Sequence, residues 1–190
     1  MNRRNLQVSD RILVSIGANL GDPEAMIREV IHRISVDRNG EFLVSHLWKT
    51  SPVDCPPGSP VFVNAAVVFH PKTHETPEAL LDLLQEMERK MGRRPKKVMN
   101  EARLVDLDLI AWEDLKTSHP QLTLPHPRAH LRSFVLTPLA EIVPDFILPG
   151  QTVPIWKLLE NLKTREILEM LPQPPVIVTT SSGRTSRHSS

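Results

Sequence analysis

Two proline-led helix starts, Asp22-Pro23-Glu24 and Thr76-Pro77-Glu78, divide this chain, and the apolar residues after them recur with a different period from those in between. At each start the Asp or Thr side chain can accept a hydrogen bond from an orphan helix N–H, and proline suits the first helical position because no donor is needed there. Ile27, Val30, Ile31 and Ile34 then share one face, leaving Arg28, Glu29 and Arg33 for solvent. Leu80, Leu84, Met87 and Met91 form a second stripe, stopped by Gly92. Before, between and after these helices lie strand-like runs: Arg11–Gly17, Glu41–Thr50, Val61–His70 and Leu104–Trp112. The order βαββαβ predicts an α+β, ferredoxin-like core, an antiparallel sheet with helices on one side. Beyond it, QLTLPHP suggests a short added strand, and Phe134–Val143 and Pro154–Leu162 suggest two extra C-terminal helices.

With 190 residues there is room for one domain, expected at 11–171, but not for two large ones. The polar residues 1–10 and the ending 172–190, which closes in TTSSGRTSRHSS, offer little to bury and are expected to be disordered tails. Lys plus Arg at 23 against Asp plus Glu at 22 leaves a net charge of +1, so no overall field would hold nucleic acid or an anionic membrane. No run reaches the roughly 18–20 apolar residues that span a bilayer, and the start lacks the apolar stretch of a signal peptide. The single cysteine, Cys55, has no internal disulfide partner, which agrees with a cytoplasmic protein.

Chemistry concentrates in Leu104–Ile110. Strand alternation points Asp106 and Asp108 the same way, roughly 6.5–7 Å apart, while Val105, Leu107 and Leu109 face the core. Two carboxylates at that spacing repel by about 2.4 kcal/mol at an effective dielectric of about 20, so on a partly buried face they call for cations. Mg²⁺ favours carboxylate and phosphate oxygens. A solvated edge face would explain the same spacing, but the loop just upstream carries Arg93, Arg94, Lys96, Lys97 and Arg103 in a nearly neutral chain, and arginine forks beside a carboxylate pair suit a phosphate-rich ligand. On the run Val61–His70, Phe62 and Asn64 share a face: a flat ring for stacking, and an amide able to match an aminopyrimidinone edge. An ordinary cross-strand pair would look no different. His126, Arg132 and Phe134 fall within eleven residues; Pro127 interrupts any helix that would make His126 and His130 a metal pair, leaving His126 and Arg132 for anions and Phe134 for stacking. The turn Gly17-Ala18-Asn19-Leu20-Gly21 lacks both the P-loop ending and the third glycine of a dinucleotide fingerprint, and reads as structural.

Taken in order, SIGANLGD, T-S-P-V followed by F-V-N-A-A-V, then Gln85, Glu88, Gly92 and Arg93, R-L-V-D-L-D-L-I, L-P-H-P-R and R-S-F-V-L-T-P-L-A-E-I-V-P resemble the 6-hydroxymethyl-7,8-dihydropterin pyrophosphokinase family of folate synthesis, from about Arg11 to about Leu162. The resemblance implies transfer of the terminal diphosphate of ATP to the hydroxymethyl group of a reduced pterin, releasing AMP. It implies two Mg²⁺ on Asp106 and Asp108, a pterin held by Asn64, Phe62 and Phe134 with the backbone near Thr50 and Val53 closing the edge, and phosphate contacts from Arg93, Arg103, His126 and Arg132. Gln85 and Glu88 match positions near the nucleotide. The expected partners are ATP and the pterin alone, with no nucleic acid and no membrane, and the protein is expected to be a monomer.

The sequence departs from the family before the carboxylate strand. Asn100-Glu101-Ala102-Arg103 stand where Trp-Gly-Pro-Arg or Trp-Ala-Pro-Arg is usual, Pro95 stands where a second arginine is common, and Pro127 follows the histidine where a tyrosine often does. A catalytically weakened pterin- or nucleotide-binding paralogue is therefore the alternative. A ferredoxin-like regulatory or nucleic-acid module is disfavoured by the +1 charge.

Overall fold

The computed structural model describes residues 10–36, 38, 40–52, 58–92, 104–163, 168–172 and 178–180. Along the chain run β1 (Ile12–Ala18), α1 (Pro23–Val36), β2 (Gly40–Val44), β3 (Trp48–Thr50), β4 (Phe62–Phe69), α2 (Pro77–Lys90) and β5 (Asp106–Trp112). A small hairpin of β6 (Thr117–His119) and β7 (Leu122–Leu124) follows, then a 3₁₀ turn at Ala129–Leu131, α3 (Ser133–Ile142), α4 (Ile155–Asn161), β8 (Leu168–Met170) and β9 (Val178–Thr180). Among the described residues no helix is long and apolar enough to cross a membrane.

The caps form as the sequence predicts. Asp22 Oδ1 accepts from Ala25 N at 3.1 Å and Thr76 Oγ1 from Ala79 N at 3.2 Å, each satisfying a donor that the first helical turn leaves without a backbone partner. Gly92 takes φ +91° just beyond α2, the left-handed geometry that ends helices at glycine.

The main sheet runs β5-β1-β4-β2-β9, with β3 also on β4 and β8 on β3. Its pairings are antiparallel, and β5-β1-β4-β2 is the ferredoxin-like order. The pleat sorts the side chains: Val14, Ile16, Val63, Ala65, Val67, Val105, Leu107 and Leu109 pack beneath Ile27, Val30 and Ile34 of α1 and Leu80 and Leu84 of α2.

The two core helices, α1 and α2, share one face as expected, and the extra helices add a layer on the other: Leu13, Ala66, Val68 and Ile110 pack against Val135, Leu136 and Leu139 of α3 and Ile155 and Leu158 of α4, because a two-faced apolar sheet needs two layers. Two expectations need correction. The run Glu41–Thr50 is two strands, broken at residues 45–47. Within the ending expected to bury nothing, the backbone of Val178–Thr180 pairs with β2, whose outer edge would otherwise present unpaired N–H and C=O groups.

One charged pair is buried away from the carboxylate end of β5. Arg38 Nη1 donates to Glu75 Oε2 at 2.6 Å, with side chains only 2% and 9% exposed, and the guanidinium lies 4.4 Å from the Phe69 ring centroid. Glu75 also accepts from Lys72 N. Replacing one partner strands a buried charge, so E75A is expected to cost about 3–5 kcal/mol, read as a lowered urea midpoint.

Candidate functional site

The register across β5, β1 and β4 assembles the predicted residues into one row. Gly17 pairs with Asp106 on one side and Asn64 on the other, while Ser15 pairs with Asp108 and Ala66. Asp106, Asp108 and Phe62 are half-buried at the end of the face that α3 and α4 partly cover, whereas Asn64 and Thr50 are each 3% exposed. With strands about 4.8 Å apart, Asp106 and Asn64 stand roughly 10 Å from each other across the glycine.

That glycine is required for the spacing. A Cβ on Gly17 would come within 2.9 Å of Asn64 Oδ1, so the amide rests where a side chain would be. Asn64 Nδ2 donates to Thr50 Oγ1 at 2.8 Å, and Thr50 is opposite Phe62 in the β3–β4 register. The amide is thus oriented: one of its two N–H donors is used by the protein, and its acceptor lies over the Gly17 backbone.

A second group arrives from beyond β7. His126 N donates to Ile110 O at 2.8 Å, tying this loop to β5. Burial pulls the His126 pKa below its ordinary value; Asp108 opposes the shift, Arg132 and Arg128 add to it, and Asp106 opposes it more weakly. The imidazole therefore sits within the field of both carboxylates, in its neutral form. Its Nδ1 accepts from Arg128 N at 3.3 Å, which leaves the proton on Nε2. The Arg132 guanidinium lies 5.3 Å from the Phe134 ring centroid, at the start of α3.

Asp106, Asp108, Asn64, Thr50, Phe62, His126, Arg132 and Phe134 thus belong to one region. Gln85 does not: it is exposed on α2, which packs on the opposite face. Glu88, 3% exposed, accepts from Leu107 N at 2.7 Å, which pins the backbone between the two aspartates. Val53, Arg93 and Arg103 lie outside the described residues, as do Pro95 and Asn100.

Among the described residues there is no group of three or more His, Cys, Asp or Glu side chains able to hold a metal. The donor set still fits Mg²⁺, which is commonly bound by one or two carboxylates, with waters and substrate phosphates completing its shell. Sequence reasoning missed Ser15 and Gly17 as the floor of the site; the signal was a glycine inside an apolar strand. It also missed Glu141, a lone carboxylate in the apolar helix SFVLTPLAEI, which bonds to His46 and Trp48.

Known proteins resemble this chain in sequence and in fold. The sequence model of a family described as 7,8-dihydro-6-hydroxymethylpterin-pyrophosphokinase matches residues 13–144. A 2-amino-4-hydroxy-6-hydroxymethyldihydropteridine pyrophosphokinase of Methylorubrum extorquens is 32% identical over 143 residues, 75% of this chain and 89% of the relative. The one from Haemophilus influenzae is 30% identical over 160 residues, covering 84% and 97%. The folic acid synthesis protein fol1 of Pneumocystis carinii is 30% identical over 164 residues, 86% of this chain but 22% of that longer protein. Among solved structures, the Plasmodium falciparum HPPK-DHPS triple mutant with pteroate superposes with a TM-score of 0.60 at 14% identity, over 80% of this chain and 43% of that one; at that identity the likeness is one of fold.

The His126 environment can be titrated directly. In proton NMR its midpoint is expected below 6.5, the ordinary value, and D108N should lower it further by removing a charge that favours the imidazolium. Because the unfolded chain takes up this proton at higher pH than the folded one, His126 stabilises the fold above about pH 6.5, and that contribution is lost as pH falls through the lowered folded value.

Proposed function

The chain belongs to the 7,8-dihydro-6-hydroxymethylpterin-pyrophosphokinase family, and from that premise we propose that the row Asp106–Gly17–Asn64 is the axis along which ATP and the pterin meet. The enzyme is an ATP-dependent diphosphotransferase of folate biosynthesis: it transfers the terminal diphosphate of ATP to 6-hydroxymethyl-7,8-dihydropterin and releases AMP. The observation that carries the site assignment is the register, which sets a carboxylate pair and an oriented amide on one sheet face, two strands apart.

At one end, Asn64 Oδ1 accepts from the pterin's amino edge. The amide does not turn, because Thr50 holds its Nδ2. Phe62 and Phe134 supply ring faces for the bicycle, and the backbone near Thr50 and Val53 closes its edge. At the other end, Asp106 and Asp108 would hold two Mg²⁺, which would supply positive charge to the phosphate oxygens. His126 donates from Nε2 to a phosphate oxygen, and Arg93, Arg103 and Arg132 pair with the remaining charge. Glu88 serves the nucleotide end through the β5 backbone it holds; Gln85, exposed on the opposite face, takes no part in it.

Positioning then does most of the catalysis. The pterin hydroxymethyl oxygen forms a bond to the β-phosphorus, the bond from that phosphorus to the α–β bridging oxygen breaks, and AMP departs in line while the hydroxyl proton passes to solvent. Residues 11–171 make up the catalytic domain in this reading, acting as a monomer in the cytoplasm, where Cys55 stays reduced.

A coupled assay for AMP release with Mg²⁺, ATP and 6-hydroxymethyl-7,8-dihydropterin tests the reading; no turnover above background at high enzyme concentration would overturn it. D106N and D108N are each expected to lower kcat by about 10²-fold or more. Their melting temperatures should stay level or rise, since each substitution relieves carboxylate repulsion.

A further inference from the structure

Residues 45–47 separate β2 from β3 and run opposite only residues 65 and 66 of β4: Val44 pairs with Val67, yet Trp48 rather than Leu47 pairs with Asn64. One extra residue is therefore inserted between β2 and β3 relative to β4, a β-bulge beside the site. Its consequence is large, because a one-residue slip exchanges the two faces of a strand. Without the bulge, Lys49 would stand opposite Phe62, and Thr50 could not hold the Asn64 amide.

The bulge leaves backbone groups to satisfy. Ala66 N donates to Ser45 Oγ at 2.9 Å, and Ser45 Oγ donates to His46 O at 2.8 Å. The His46 N–H points away from β4, and Glu141 of α3 takes it: His46 N donates to Oε1 and Oε2 at 3.0 and 3.1 Å. The same carboxylate bonds to His46 Nδ1 and accepts from Trp48 Nε1 at 3.1 Å. One side chain thus holds both the bulged residue and the first residue of β3. It does so from the helix whose first turn carries Phe134.

We propose that Glu141 is a positioning residue for the pterin end of the site, acting through the bulge to keep Thr50 against Asn64 and β3 at a fixed distance from Phe134. This rests on the pterin reading above. Glu141 touches neither substrate, so its influence passes through the Thr50–Asn64 hydrogen bond and leaves the carboxylate end alone.

The test is calorimetric binding of the dihydropterin, and separately of an ATP analogue with a methylene between the α- and β-phosphorus, alongside steady-state kinetics. E141A is expected to weaken pterin binding and raise the pterin KM by about tenfold, with kcat and the analogue affinity changed less than about twofold. E141Q keeps an acceptor and should recover most of the loss. In a T50V background, which lacks the hydroxyl, E141A should add less than about twofold, because the two substitutions interrupt one path. If E141A melts below the assay temperature, W48F, which removes a single donor, carries the same comparison with a smaller shift. Equal loss for pterin and nucleotide, an unchanged pterin affinity, or additivity with T50V would each overturn the proposal. A wild-type enzyme that neither binds the pterin nor releases AMP would instead overturn the pterin reading itself.

Discussion

The pairing of β1 between β4 and β5 is the constraint on which the rest depends. It is fully antiparallel, and its register lets one strand serve two neighbours: Ile16 and Ala18 bury themselves toward α1 and α2, while Ser15 and Gly17 on the other face lie between the aspartates and the asparagine. Each buried apolar side chain contributes about 1.5–3 kcal/mol, and shifting the register by one residue would send all of them to the wrong face. The hydrophobic effect therefore fixes the position of polar groups that contribute little to stability themselves. Two like charges and a buried amide are held in place by a core on the other face of the sheet.

Much of this was legible in the residues because period and punctuation are local. Asp22 and Thr76 cap the helices the sequence assigns to them, and the alternation in Leu104–Leu109 puts Asp106 and Asp108 on one face, opposite Val105 and Leu107. Less legible was whatever depended on long-range pairing. A break inside Glu41–Thr50 leaves no local mark in the run, and the carboxylate that accepts the His46 N–H there lies 95 residues away. The apolar Leu13, Val68 and Ile110 looked like ordinary strand residues until α3 and α4 covered them. Gly17 read as part of a turn; only its neighbours across two strands show that a side chain there would displace Asn64.

Charge at the site is arranged by contrast between its two ends. At the Asn64 end the polar groups are spoken for: the buried Asn64 by Thr50, and the part-buried Trp48 and His46 by Glu141. Such groups cost free energy if left without partners, so each bond that orients the amide also removes a penalty. At the carboxylate end the aspartates stay half-buried, where water and cations can reach them, and the nearby histidine is kept neutral by burial. A histidinium there would join Arg128 and Arg132 in a crowded positive field; a neutral ring can still donate from Nε2 without adding charge.

Glu88 shows how the carboxylate strand is held from within the described fold. The β5 strand is an edge, and the N–H of Leu107 faces outward from the sheet, where an unpaired donor would let the strand fray between its two aspartates. A buried carboxylate from α2 accepts that N–H at 2.7 Å. Desolvating the carboxylate is costly, and a charge-assisted hydrogen bond of about 1.5–3 kcal/mol offsets part of that cost. What it secures is direction: with the intervening peptide fixed, Asp106 and Asp108 cannot rotate independently. The sequence departures at Pro95 and Asn100 therefore leave this anchor of the carboxylates intact, since it is made by α2 and β5 alone.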